Sequence, residues 1–146
     1  MFINRNYREI KTFIESGHSV MVFGPRGSGK TSFLEQIIKA KDSFRIVDLL
    51  DLKTFLKYSR DPSLFAAEIE KECISSDTRF PRYYLIDEIQ KLPELLDEVQ
   101  KLLVQNTAGK LVFILTGSSA RKLKTKEANL LAGRALSCFF YPFSSD

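Results

Sequence analysis

The sequence predicts an α/β domain of three layers, a mainly parallel five-stranded sheet with helices on both faces. Three observations carry that prediction. A glycine-rich loop joins a short apolar run to a segment of helical spacing, and a later apolar run ends in two adjacent carboxylates. Around them, apolar runs of strand length alternate with helical patterns, the sign of parallel strands joined by crossover helices. The chain has 146 residues, 44% hydrophobic and 27% charged. That suits one domain over residues 1–146 with one core.

The first helix is expected over Asn6 to Glu15, where Tyr7, Ile10, Phe13 and Ile14 share a face and Gly17 stops the pattern. A first strand follows over residues 19–24. Ser32 to Ile38 carries apolar residues at helical spacing, and Lys39 to Ser43 turns the chain into a second strand at 44–50. Residues 51–75 read as helical, broken at Asp61-Pro62. There Asp61 can cap, Pro62 suits a first helical position, and Leu64, Phe65, Glu68, Ile69 and Glu72 follow on one face. A third strand spans 82–87. Leu92-Pro93-Glu94 opens a helix that turns Leu95, Leu96, Val99, Leu102 and Leu103 inward and ends at Asn106 to Gly109. Strands four and five are expected at 110–116 and 136–142, with a short basic helix between them.

Chemistry concentrates in two stretches. Gly24-Pro25-Arg26-Gly27-Ser28-Gly29-Lys30-Thr31 is a complete G-x-x-x-x-G-K-[ST] phosphate-binding loop between strand and helix. At average residue usage its four fixed positions coincide in a chain of this length in roughly half a per cent of cases. Its glycines let backbone N–H groups face inward, and the helix that follows, over Ser32 to Ile38, adds a positive N-terminal end. Lys30 is expected to reach the β- and γ-phosphates, and the Thr31 hydroxyl to ligate Mg²⁺. The other stretch, Tyr83-Tyr84-Leu85-Ile86-Asp87-Glu88, ends in a pair that suits metal-assisted hydrolysis: Asp87 for the metal, Glu88 as base for the attacking water. A solvated strand end is the bland alternative. Thr116, Ser118 and Ser119 close the fourth strand and are expected near the γ-phosphate, with turn chemistry as the competing account.

Composition excludes other classes. No run reaches the ~18 apolar residues of a membrane span, and the N-terminus lacks the apolar core of a signal peptide, so a cytoplasmic protein is expected. Cys73 and Cys138 lie far apart in apolar surroundings without a C-x-x-C, which favours buried free thiols over a disulfide or metal site. The single histidine, His18, sits in a turn and is expected to be exposed. Net charge is +4, and Arg121, Lys122, Lys124 and Lys126 crowd one stretch. That cluster reads as a solvated helix face or a contact for nucleic acid.

The two stretches, with Leu115-Thr116-Gly117-Ser118-Ser119-Ala120-Arg121 and Leu130-Leu131-Ala132-Gly133-Arg134, resemble the signature segments of a family of prokaryotic AAA+-type ATPases. The resemblance covers nearly the whole chain. It implies sheet order 5-1-4-3-2, with the fourth strand between the loop strand and the carboxylate strand. It also implies the residues from Thr116 to Ser118 as a γ-phosphate sensor and Arg134 as an arginine that completes a nucleotide site. Members of that family continue into a second domain, so this chain is expected to be the ATPase core alone. The expected ligands are ATP and Mg²⁺; the expected partners are a second copy or another protein, with only the basic cluster in favour of nucleic acid. ATP hydrolysis that drives a switch is the leading expectation. A nucleotide-dependent binding module without turnover is the alternative, and a small-molecule kinase fits less well because Glu88 directly after Asp87 suits water as acceptor. No N-K-x-D segment is present, which leans toward adenine.

Overall fold

The computed structural model describes residues 3–5, 7–25, 27, 29–75, 81–105, 111–118 and 135–140. In chain order these form β1 (Ile3–Arg5), α1 (Tyr7–Glu15), β2 (Ser19–Phe23), α2 (Lys30–Lys39), β3 (Phe44–Asp48), α3 (Leu52–Arg60) and α4 (Ser63–Ser75). Then come β4 (Arg82–Asp87), a 3-10 turn (Ile89–Lys91), α5 (Leu95–Gln105), β5 (Leu111–Gly117) and β6 (Ala135–Phe140).

The strands make one sheet in the order β1-β6-β2-β5-β4-β3, every pairing parallel. Counting only the five expected strands, this is 5-1-4-3-2. The sixth, β1, adds itself outside β6 through the registers Ile3↔Cys138 and Arg5↔Phe140. Three residues are too short to show a period, which is why the sequence hid it. Strand ends also shift: β2 ends at Phe23, β3 at Asp48, β5 runs to Gly117, and β6 covers 135–140. At β3 the cause is visible. The Asp48 carboxylate accepts from the Leu50 N–H at 2.9 Å and turns the chain before residue 50.

Both faces of the sheet are covered. Along β2, Met21 and Phe23 join a core with α3, α4 and α5, while Val20 and Val22 join one with α1 and α2. This is the two-residue alternation of a strand whose two sides are both buried, and it makes three layers with a core on each side of the sheet. Burying a side chain the size of Ile10, Leu34 or Phe113 stabilises by about 1.5–3 kcal/mol. Tyr7, expected on the inner face of α1, is instead half-exposed and meets the Phe33 ring edge-on at 4.6 Å between centroids. Leu64 is likewise partly exposed. Asp51 caps α3 by accepting from the Thr54 N–H at 3.2 Å, and Asp61 accepts from the Ser63 N–H at 3.2 Å as α4 begins.

Glu68 and Glu72 of α4 bind the sheet through arginine. Arg45 of β3 donates to Glu68 and Glu72, each at 3.1 Å, and to the Tyr58 hydroxyl at 2.8 Å. Arg82 of β4 donates to Glu72 at 3.3 Å and to the Tyr84 hydroxyl at 2.9 Å. The cysteines are free thiols; Cys138 is buried and Cys73 only half-buried. His18 is exposed, its ring 6.3 Å from that of Phe13.

Candidate functional site

The carboxyl ends of β2, β4 and β5 and the N-terminus of α2 converge on one cleft of about 240 Å³. Its described lining is Gly27, Gly29, Lys30, Thr31, Ser32, Leu50, Asp87 and Glu88.

Two glycines shape its floor. Gly27 and Gly29 have φ of 80° and 88°, the left-handed region that side chains rarely adopt. Among the described residues nothing lies within 4 Å of where a Cβ would stand on either. Gly29 is the N-cap of α2 and offers no side chain to its first N–H groups, which leaves that helix end to an anion. Gly24 is tied down by its N–H, which donates to the Gly117 carbonyl at 3.1 Å. Lys30 is 3% exposed, and its Nζ stands 3.5 Å from the Pro25 carbonyl oxygen.

Opposite the loop, the two acids are held by hydroxyls. Thr31 Oγ1 donates to Asp87 Oδ1 at 3.0 Å. Thr116 Oγ1 donates to the same oxygen and accepts from the Glu88 N–H at 3.0 Å. Burial pushes the Asp87 carboxyl above its ordinary range; the Thr116 and Thr31 hydroxyls pull it back, and the Glu88 and Asp48 carboxylates push it up again. Crowded negative charge beside a hydroxyl is a donor set that fits a hard divalent cation. No group of three or more metal-binding side chains gathers among the described residues. Mg²⁺ suits such a site because it keeps several waters and takes one or two protein oxygens beside phosphate.

Glu88 is 4% exposed and adopts φ 64°, ψ 54°. It is the only described non-glycine residue with positive φ. Ser118 Oγ lies 2.8 Å from its Oε1 and 3.0 Å from its Oε2, and Gln90 Nε2 donates to Oε1.

Of the expected site residues, Gly24, Pro25, Gly27, Gly29, Lys30, Thr31, Ser32, Asp87 and Glu88 come together here. Thr116 and Ser118 are adjacent, but neither is in the described lining, and their hydroxyls meet Asp87 and Glu88. Arg26, Ser28 and Arg134 lie outside the described residues, as does the basic cluster. Sequence reasoning missed Leu50 in the lining and Gln90 beside Glu88, and it placed Gly117 only within the stretch from Thr116 to Ser118. Only the closeness of Gln90 to the acid pair pointed to it.

Solved structures that share this fold include these three. C. elegans PCH-2 superposes with a TM-score of 0.63 at 14% identity, over 92% of this chain and 42% of that one. Cdc6p from Pyrobaculum aerophilum gives 0.59 at 10%, over 90% and 43%. Aeropyrum pernix ORC1, solved in complex with DNA, gives 0.56 at 14%, again over 90% and 43%. The chain thus spans less than half the length of each of these structures. No curated protein matches the sequence. A family model described as an AAA domain matches residues 16–146, a range that takes in the phosphate loop, the acid pair and the end of β5. The chain therefore belongs to the AAA domain family.

Proposed function

We propose that the chain binds ATP with Mg²⁺ and hydrolyses it slowly to ADP and phosphate, using the cycle to switch its own shape or that of a partner. The observation that carries this reading is the Thr31–Asp87 hydrogen bond of 3.0 Å, which joins the loop helix to the strand of the acid pair in the cleft that Lys30 lines.

The glycine backbone and the open end of α2 receive phosphate oxygens, and the Lys30 ammonium neutralises charge on the β- and γ-phosphates. Thr31 and Asp87 present oxygens to the cation, which supplies charge neutralisation when bound. Glu88 orients the attacking water and takes its proton, while Thr116 fixes the backbone from which that carboxylate projects. Arg134 completes the site from a neighbouring copy.

Steady-state phosphate release at saturating Mg-ATP tests the reading, with EDTA as the control that must abolish it. The alternative, a nucleotide-dependent binding module without turnover, draws support from the engagement of Glu88 by both Ser118 and Gln90. Binding without phosphate release would select it. For location we infer the cytoplasm; no described helix is long and apolar enough to cross a membrane. DNA, present in the ORC1 structure, is a partner for this chain only through the basic cluster from Arg121 to Lys126.

A further inference from the structure

Behind Glu88 the chain folds back on itself. Glu88 takes the left-handed conformation, and the 3-10 turn follows, with the Lys91 N–H donating to the Glu88 carbonyl and the Leu92 N–H to that of Ile89, each at 3.0 Å. Ile89, fully buried, anchors the turn in the core. The result is that the Gln90 side chain returns to the carboxylate two residues before it.

The space Gln90 occupies exists because residue 117 is glycine. A Cβ there would stand 2.7 and 2.8 Å from two carbons of the Phe23 ring and 2.9 Å from Gln90 Oε1. The amide can face Glu88 in only one useful sense, with Nε2 toward the carboxylate. That sense leaves Gln90 Oε1 buried with no hydrogen-bond partner among the described residues. A buried orphan acceptor and a non-glycine residue at positive φ both cost stability, and here they meet at a single carboxylate. An apolar side chain of the same length would fill the space without the orphan, so packing alone does not account for glutamine.

The geometry points to Gln90 as a positioning residue that fixes the orientation of the Glu88 carboxylate for its work on water. This inference rests on the proposed hydrolysis. Gln90 is outside the described lining of the cleft. It acts through Oε1 of Glu88, while the Ser118 hydroxyl reaches both carboxylate oxygens.

Gln90→Met tests it, because the thioether keeps the length and removes both the donor and the orphan. The variant should keep KM for ATP, while kcat falls by about 10²-fold, the scale of a misplaced catalytic group. Gln90→Asn keeps an amide but is one methylene too short, and should lose kcat to the same extent. A crystal structure of nucleotide-free Gln90→Met should show the Glu88 carboxylate displaced from Ser118. Unchanged kcat with a lowered melting temperature would make Gln90 a residue of the fold and overturn the inference, as would a Glu88 carboxylate that stays in place. If the wild type binds ATP but releases no phosphate, the hydrolysis reading fails, and the crystal structure still decides whether Gln90 holds Glu88.

Discussion

Thr31 of the phosphate loop donates its hydroxyl hydrogen to Asp87 of the acid pair at 3.0 Å, across 56 residues of sequence. Loop and acid pair are therefore parts of one site.

Lys30→Ala removes the one buried ammonium of the described lining. Phosphate charge left uncompensated in a partly dry cleft should lower ATP affinity by about 30- to 1,000-fold, on the order of 2–4 kcal/mol. Titration with a fluorescent ATP analogue reads this, and binding within about threefold of wild type would remove Lys30 from phosphate contact.

Thr116→Val keeps the shape of a fully buried side chain but takes away the donor to Asp87 and the acceptor for the Glu88 N–H. The orphaned N–H should cost about 1–3 kcal/mol of stability in urea unfolding. Weaker Mg²⁺ dependence of ATP binding should accompany it, since Asp87 loses one of two hydroxyls that orient it.

The ion network between α4 and the sheet predicts a stability plateau with two limbs. Burial pushes the Glu68 carboxyl up, but hydrogen bonds from Lys57, Tyr58 and Arg45 outweigh it, so the folded value lies below the ordinary 4.5. That contribution is present above pH 4.5 and is lost as pH falls through the folded value. Burial, with hydrogen bonds to Glu68 and Glu72, holds the Tyr58 and Tyr84 hydroxyls well above their ordinary 10.0. Their contribution is present below pH 10 and is lost as pH rises beyond it. Melting temperature against pH checks both limbs, and Glu68→Gln should flatten the acid one.

Much of this fold was legible because β2, β4 and β5 are apolar along both faces, which marks strands inside a parallel sheet. β1 was not, since Ile3 to Arg5 has no period and is a strand only because β6 lies beside it. At the site, residue type and spacing placed Lys30, Thr31, Asp87 and Glu88. The partner of each hydroxyl was beyond reach. Thr116 and Ser118 were expected to face phosphate; their hydroxyls meet Asp87 and Glu88, and those hydrogen bonds follow from side-chain directions that a linear pattern does not contain. The left-handed turn at Glu88 is rarer still for its residue type, and Gln90 becomes visible only once that turn and the register Phe23↔Gly117 are known.

Arg134 is proposed to act across a subunit boundary. Activity per molecule should then rise with protein concentration, and Arg134→Ala should abolish the rise with little change in ATP affinity. A catalytic arginine of this kind is worth about 10³–10⁵ in rate. Mixing Arg134→Ala with Glu88→Gln should restore part of the turnover, and flat activity without rescue would count against the role.

Glu88→Gln bears most directly on the central claim, that the cleft hydrolyses the nucleotide it binds. The amide keeps the shape of the side chain and cannot take a proton from water. Phosphate release at saturating Mg-ATP should fall by about 10²-fold or more while ATP still binds as in the wild type. Equal rates of phosphate release from wild type and variant would contradict the account.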